Sequence, residues 1–434
     1  MPKQPRVRVW KASALPPKWY ERKPLDSKGN EQVENDAKAI IAKVMQGGDS
    51  ALVEFTEKFD KARIEAENLM VTAAEVGEAY GAVTAEQVSA LKFMKNKIAA
   101  FEKLVLERVG FSASKDGVTV RSTLRPIQSV GCYVPGGQAA YPSTLVMTAV
   151  PAKAAGVPRV VACSPPNAED KVNPLVLVAA DICGVNEVYK VGGAQAIAAL
   201  AYGTETIRPV KKIVGPGSRY VTMAKILVSK DVSIDMPAGP SEVLVLADET
   251  ANPRLIALDM ISQAEHGADS VAGLITTSEK LADEVQGLLA ETAAEVERGE
   301  IVGKALEKYG FIITCNSMVE AVELANVFAP EHLEVMTRNA GKIAEKITSA
   351  GLILVGSFSP VALSDYGSGT NHVLPTGGFG SVYSGLSALD FARRVSIVES
   401  SKEGLKGVEE RVKVMTEAEN LPNHYKAVAA RFEK

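Results

Sequence analysis

Gln263 and His266 stand three residues apart in "ISQAEHGADS", directly before a glycine. Residues at i and i+3 are neighbours on a helix surface, so the two side chains could converge on a metal ion, a substrate or another side chain. The same letters also describe an ordinary helix C-terminus, with His266 near the negative end of the dipole and Gly267 as cap. Glu331 and His332 adjoin each other in "PEHLE", between a helical stretch and a strand. A carboxylate beside an imidazole can divide general acid–base work if their environments separate their pKa values. A helix-exit loop with exposed polar residues would show the same pair.

The chain has four histidines: His266, His332, His372 and His424. Each falls at an element end or in a loop beside other functional groups, where rigid scaffolds place their chemistry. If they converge, a metal set of Gln263, His266, Asp365 and one further histidine is available. Imidazole nitrogen with carboxylate and amide oxygen suits zinc or another first-row divalent ion, although no H-E-x-x-H or zinc-finger spacing is present. "VGPGSRY" and "DMPAGPSE" are Gly/Pro turns at strand ends, where backbone amides can approach an anion. Turn chemistry explains both equally well. "GPGSRY" has two glycines of a G-x-G-x-x-G fingerprint and Tyr220 in place of the third, so the nucleotide motif is absent. Cys132 in "GCYVPGG" has no basic sequence neighbour to lower its pKa and is expected to be a small buried side chain.

These residues must be positioned by a scaffold, and the pattern around them alternates. Residues from about Gln32 to Glu107 are helix-rich, with apolar spacings of three and four and "GG" closing the first helix. From "SVGCYVPGG" onward, short apolar strands ("RVVAC", "EVYK", "KKIV") alternate with helices of ten or so residues. A second series runs from "SEVLVLAD" to "GLILVG". Such alternation indicates βαβ units and parallel sheets, with clefts at strand ends and domain edges. "SDYGSGTNHVLPTGGFGS" is too long for a mere connector and is expected to be functional. The tail from Gly385 is expected to be helical.

Length (434 residues), 46% apolar and 23% charged residues describe a globular chain of two to four domains. A net charge of −4 gives no reason to expect nucleic acid or an acidic membrane as partner. No apolar run approaches the roughly 20 residues that span a bilayer. The scattered cysteines fit a reducing compartment, so the expected location is the cytoplasm. The basic, proline-broken first thirty residues are expected to form an arm packed on another domain or subunit.

Taken together, "GCYVPGG", "YPSTLVMTAVPAKAAGV", "VGGAQAIAALAYGT", "KIVGPGSRYVT", "SIDMPAGPSEVLVLADE", "MISQAEHGADS", "APEHLE" and "DYGSGTNHVLPT" resemble histidinol dehydrogenase, over roughly Glu31 to His424. The resemblance implies oxidation of L-histidinol to L-histidine through the aldehyde, with two NAD used in turn. It implies one zinc ion per subunit on Gln263, His266, Asp365 and His424. The metal would grip the substrate's imidazole and amine as a template. Glu331 and His332 match the acid–base pair. Ser241, His372 and Glu419 match substrate contacts, beside Gln263, His266, His332, Asp365 and His424. Tyr133, Gln195 and Ser218 match positions that contact NAD. The family is a homodimer whose C-terminal segment crosses to the partner, so Glu419 and His424 would complete the other subunit's site. Ser218, Ser364 and Asn420 stand where the family usually has Asn, Gly and Gly.

The expected fold is α/β: two Rossmann-like parallel-sheet domains, a small N-terminal arm and a helical C-terminal dimerisation segment. The expected division is an arm (1–30), an α/β domain from 31–130 plus 241–384 carrying most metal and acid–base residues, a second Rossmann-like domain (131–240) and the crossing segment (385–434). Rival readings are a relative oxidising another small polar alcohol, such as a sulfonated diol, a zinc hydrolase with Glu331 as base, and a catalytically silent homologue. NAD-dependent turnover separates a dehydrogenase from a hydrolase. The intact Glu331–His332 pair argues against silence.

Overall fold

The computed structural model describes residues 6–21, 27–136, 141–293 and 295–433, with the backbone alone for 27–30. The chain opens with β1 (Arg8–Lys11), then α1 (Ser27–Asp60), α2 (Ala73–Gly81), α3 (Ala85–Glu107), β2 (Phe111–Lys115) and β3 (Val118–Pro126). The first α/β series is β4 (Ser129–Tyr133), α4 (Pro142–Ala154), β5 (Arg159–Cys163), α5 (Pro174–Ile182), β6 (Glu187–Tyr189), α6 (Gly193–Tyr202), β7 (Lys212–Val214), α7 (Arg219–Val228) and β8 (Ser233–Ile234). The second is β9 (Glu242–Ala247), α8 (Pro253–Ala264), β10 (Val271–Thr276), α9 (Glu279–Thr292), α10 (Gly299–Tyr309), β11 (Phe311–Thr314), α11 (Met318–Phe328), β12 (His332–Met336), α12 (Ala340–Ala344), β13 (Leu352–Val355) and α13 (Val361–Tyr366). β14 (Ala392–Ser400), α14 (Lys402–Ala418) and α15 (Pro422–Ala429) follow.

Each series makes one parallel sheet. The first has the order β6-β5-β4-β7-β8, the second β1-β11-β10-β9-β12-β13. In both, the order reverses beside a central strand, β4 or β9, which creates a switch point in each sheet. β9 and β10 are buried along their whole length, as strands covered by helices on both faces must be. Local signals fix the helix starts. Capping boxes at Thr72–Glu75 and Thr84–Gln87 open α2 and α3, and Asn252 with Pro253 opens α8. Gly48 (φ 52°) breaks α1 into two helical pieces where "GG" stands.

Several expectations change. The helices of 31–107 do not join the 241–384 sheet. Ile41, Leu52 and Phe55 of α1 share a core with Ile197 and Leu200, and Leu91, Met94 and Ile98 of α3 share one with Leu145 and Met147. They therefore cover the 129–234 sheet, because an amphipathic face does not specify which sheet receives it. The N-terminal arm packs on another domain of its own chain, one of the two expected alternatives: β1 pairs with β11, and Trp19 stacks on Phe328 with centroids 5.7 Å apart. Such an aromatic pair contributes about 0.5–1.5 kcal/mol beyond burial. Residues 1–5 and 22–26 of the arm, and Gly137 of "GCYVPGG", lie outside the described residues. The segment after Gly385 is not helical throughout, since β14 pairs antiparallel with β3 along nine residues and β2 completes a three-stranded sheet. Among the described residues, no helix is long and apolar enough to cross a membrane.

Candidate active site

The functional side chains gather at the amino edge of the six-stranded sheet, at its β9–β12 switch point. Ligands of open α/β sheets usually sit at the carboxyl edge. β9 starts with Glu242 and β12 with His332, one register step apart. α8 ends beside β10, whose first residue pairs with Glu242, so the end of α8 comes to the same edge.

Glu331 and His332 are both buried and both bound to Glu242. Glu331 Oε2 accepts the Glu242 N–H at 2.7 Å, and the Glu331 N–H reaches Glu242 Oε2 at 3.3 Å. His332 Nδ1 is 3.1 Å from the Glu242 carbonyl oxygen and 3.5 Å from Glu331 Oε2. A carbonyl only accepts, so Nδ1 carries the hydrogen and Nε2 is the basic nitrogen. Nε2 is buried and has no partner among the described residues. Burial opposes the imidazolium, but the Glu331 carboxylate, Asp365 and the Glu242 carbonyl outweigh it and raise the His332 pKa.

Gln263 is 1% exposed, and its Oε1 has no hydrogen-bond partner among the described residues. His266 lies beyond the C-cap Glu265, exposed, with Nδ1 3.2 Å from the Ser262 carbonyl. The helix therefore stops before His266, and Gly267 is not its left-handed cap. Asp365, at the end of α13, has Oδ1 3.4 Å from His372 Nδ1. Burial pushes its carboxyl up, but the hydrogen bond and charge of His372, with His332 and His266 further off, bring it below the usual range. Asn371 fixes the loop that carries His372, donating to the Met147 carbonyl at 2.7 Å and accepting the Val373 N–H at 2.8 Å. The long Gly/Ser-rich loop thus bridges to α4 of the other sheet layer. Ser241, half-buried, directly precedes Glu242.

His424 and Glu419 are not brought here. Both are exposed, on α15 and at the end of α14; these helices pack against each other, and α14 packs against β14. Among the described residues, no three His, Cys, Asp or Glu side chains group as metal ligands.

A second cluster lies at the carboxyl edge of β4 and β7, the switch point of the five-stranded sheet. The Tyr133 hydroxyl accepts the Gly193 N–H at 3.0 Å. Gln195, in the first turn of α6, is 1% exposed with both amide atoms unpartnered among the described residues. Ser218 is the N-cap of α7, exposed and making no side-chain cap bond. Between them Gly215 (φ +115°) packs so closely that a Cβ would meet the Tyr133 carbonyl oxygen at 2.2 Å. Its N–H donates to Asp235 at 2.8 Å and its carbonyl accepts from Lys225 at 2.9 Å, and Lys225 and Asp235 form a buried ion pair.

Sequence reasoning missed Glu242, Asn371 and the Lys225–Asp235 pair. A signal existed for Glu242, a lone charge heading the apolar strand "EVLVLA". Cys132 is fully buried and burial pushes its thiol up to about 12, which suits a core side chain rather than a nucleophile.

Fold and site define a doubly wound α/β protein in which a proton-accepting imidazole is bracketed by carboxylates. The family model for histidinol dehydrogenase matches residues 24–432. Histidinol dehydrogenase of Methanothermobacter thermautotrophicus is 47% identical over 91% of this chain and 92% of its own length. That of Vibrio parahaemolyticus is 46% identical, covering 91% of each. The crystal structure of histidinol dehydrogenase from Elizabethkingia anophelis superposes with a TM-score of 0.93 at 35% identity, over 99% of this chain and 98% of that one. The chain belongs to the histidinol dehydrogenase family, and its class is oxidoreductase.

Proposed function

We propose that the protein catalyses the NAD-dependent, four-electron oxidation of L-histidinol to L-histidine through histidinaldehyde, the last step of histidine biosynthesis. The observation that carries this reading is His332, a buried imidazole with Nδ1 tied down and Nε2 without a partner among the described residues, beside a fixed carboxylate. His332 Nε2 takes the alcohol proton as the substrate carbon loses hydride. Glu331, held through Oε2, uses its other oxygen to draw a proton from the water that adds to the aldehyde, while protonated His332 gives its proton back to the carbonyl oxygen, which completes the hydrate and leaves Nε2 basic again. His332 then takes the hydroxyl proton of the resulting hydrate as the second hydride departs. Enclosure at this buried edge keeps the aldehyde in place between the two oxidations.

Two groups absent from the polypeptide fit its residues. Gln263, whose Oε1 has no partner among the described residues, the Asp365 carboxylate and the His266 imidazole would hold zinc, with His424 of a second copy as fourth ligand. When bound, the ion supplies a template for the substrate's imidazole and amine. The Gln195 amide, unpartnered among the described residues, with Tyr133 and Ser218 at the β4–β7 switch point, fits NAD, which accepts hydride when bound.

In this reading the protein is a homodimer. Glu419 and His424 stand away from their own site on an exposed hairpin, and they complete the partner's site. Ser241, His372 and Glu419 contact substrate. A cytoplasmic location fits this chemistry.

The test is turnover of L-histidinol by purified protein. NADH formation should be abolished by a chelator and restored by zinc. Undiminished turnover after metal removal would contradict the zinc assignment. No turnover with metal replete would favour a related dehydrogenase of another small polar alcohol.

A further inference from the structure

Three residues one layer beneath the site meet at a single point. Glu334 lies two residues past His332 on β12, so it faces the same side of the strand. Asp259 lies one helical turn before Gln263 on α8, and Val361 one turn before Asp365 on α13. The Glu334 and Asp259 carboxyls are hydrogen-bonded to each other, and Glu334 Oε1 accepts the Val361 N–H at 2.9 Å. Glu334 is 1% exposed, and among the described residues its Oε2 has no N–H or O–H donor. Two ionised carboxylates have no hydrogen to place between them, so the bond requires that one keep its proton.

We propose that Glu334 and Asp259 are positioning residues that share one proton and so fasten α8 and α13 to β12, setting the spacing of Gln263 and Asp365 across the zinc site. This inference rests on the zinc reading given above. Val361 is the first residue of α13, and its N–H has no partner within the helix. Glu334 satisfies that donor with one oxygen and binds α8 with the other, which couples the two helices through one side chain. Burial, with the Asp259 charge close by, pushes the Glu334 carboxyl up to about 9. Burial raises Asp259 as well.

The test is zinc affinity of metal-stripped protein, read by competition with a chromophoric chelator, with thermal melting followed in parallel. Glu334→Gln keeps a donor toward Asp259 and an acceptor for Val361, so its affinity should stay within about three-fold of wild type. Glu334→Leu keeps the volume and loses both bonds, and its affinity should fall by roughly ten-fold or more, the scale of losing a group that orients a ligand. If Glu334→Gln is as weak as Glu334→Leu, a charge is needed and the shared proton is refuted. If Glu334→Leu binds zinc like wild type, the positioning role is refuted. Should Glu334→Leu fail to fold, infrared spectroscopy at about pH 7.5 decides, a pH below the about 9 to which Glu334 is raised. A protonated-carboxyl band should be present in wild type and lost in Glu334→Gln. Its absence from wild type would overturn the inference. A wild type that binds no zinc would instead overturn the zinc reading.

Discussion

His332 Nδ1 lies 3.1 Å from the carbonyl oxygen of Glu242, a residue 90 positions earlier, and this one contact decides which ring nitrogen can act. It leaves Nε2 as the basic nitrogen of the neutral ring, the atom that would exchange protons in the proposed reaction, and fixes the ring's orientation.

His332→Asn should lower kcat by about 10²–10⁴-fold, the usual range for losing a general base, with melting temperature nearly unchanged. The pH profile gives a second check. The His332 pKa is raised, so the imidazole stays protonated to higher pH than a free one and can accept a proton only above its raised value. The acid limb of kcat/KM should therefore lie above the ordinary imidazole value of about 6.5. A limb below it would contradict the assigned environment.

Glu242→Gln should reduce kcat more than it raises KM. Glu242 Oε2 holds the Glu331 N–H, and Oε1 holds the Gly377 N–H at 3.0 Å. The amide accepts through only one of its two ends, so one of these contacts is lost. Removing a partner from a buried donor costs about 1–3 kcal/mol, equivalent to roughly 5–150-fold in rate if it falls on the transition state. Steady-state kinetics with unchanged circular dichroism would check this.

Co-expressed Glu331→Gln and His424→Ala chains should recover activity that neither shows alone. If His424 serves the partner's site, half of a random mixture is mixed dimer, and each mixed dimer has one intact site. About a quarter of wild-type activity is then expected. No recovery in a mixture shown to contain mixed dimers would place His424 outside the shared site.

Gln195→Ala should weaken NAD binding measured directly by fluorescence titration, by about ten-fold, the equivalent of one lost hydrogen bond to a ligand. Melting should change little, because the amide has no protein partner among the described residues. An unchanged Kd would remove Gln195 from the nucleotide site.

The parallel sheets were legible because strands such as "EVLVLA" and "VAGLIT" are apolar on both faces and short, between helices of regular period. α7 was not legible. Its inward stripe includes Lys225, which is buried only because Asp235 and the Gly215 carbonyl neutralise it. β14 was missed for a related reason. "ARRVSIVES" is half exposed, and its partner β3 lies more than 260 residues earlier, so local pattern carries little of the pairing. Glu331 and His332 could be paired from adjacency alone. That both are bound to Glu242 is a property of strand register, which no spacing within "PEHLE" encodes. His424 was nominated by family resemblance, and its own chain leaves it on an exposed hairpin.

The most direct test of the account is the stoichiometry of the complete reaction. Purified protein with zinc, L-histidinol and excess NAD should yield two NADH for every L-histidine formed, with no free aldehyde trapped by an added carbonyl reagent. One NADH per turnover with an aldehyde product, or no NADH at all, would contradict it.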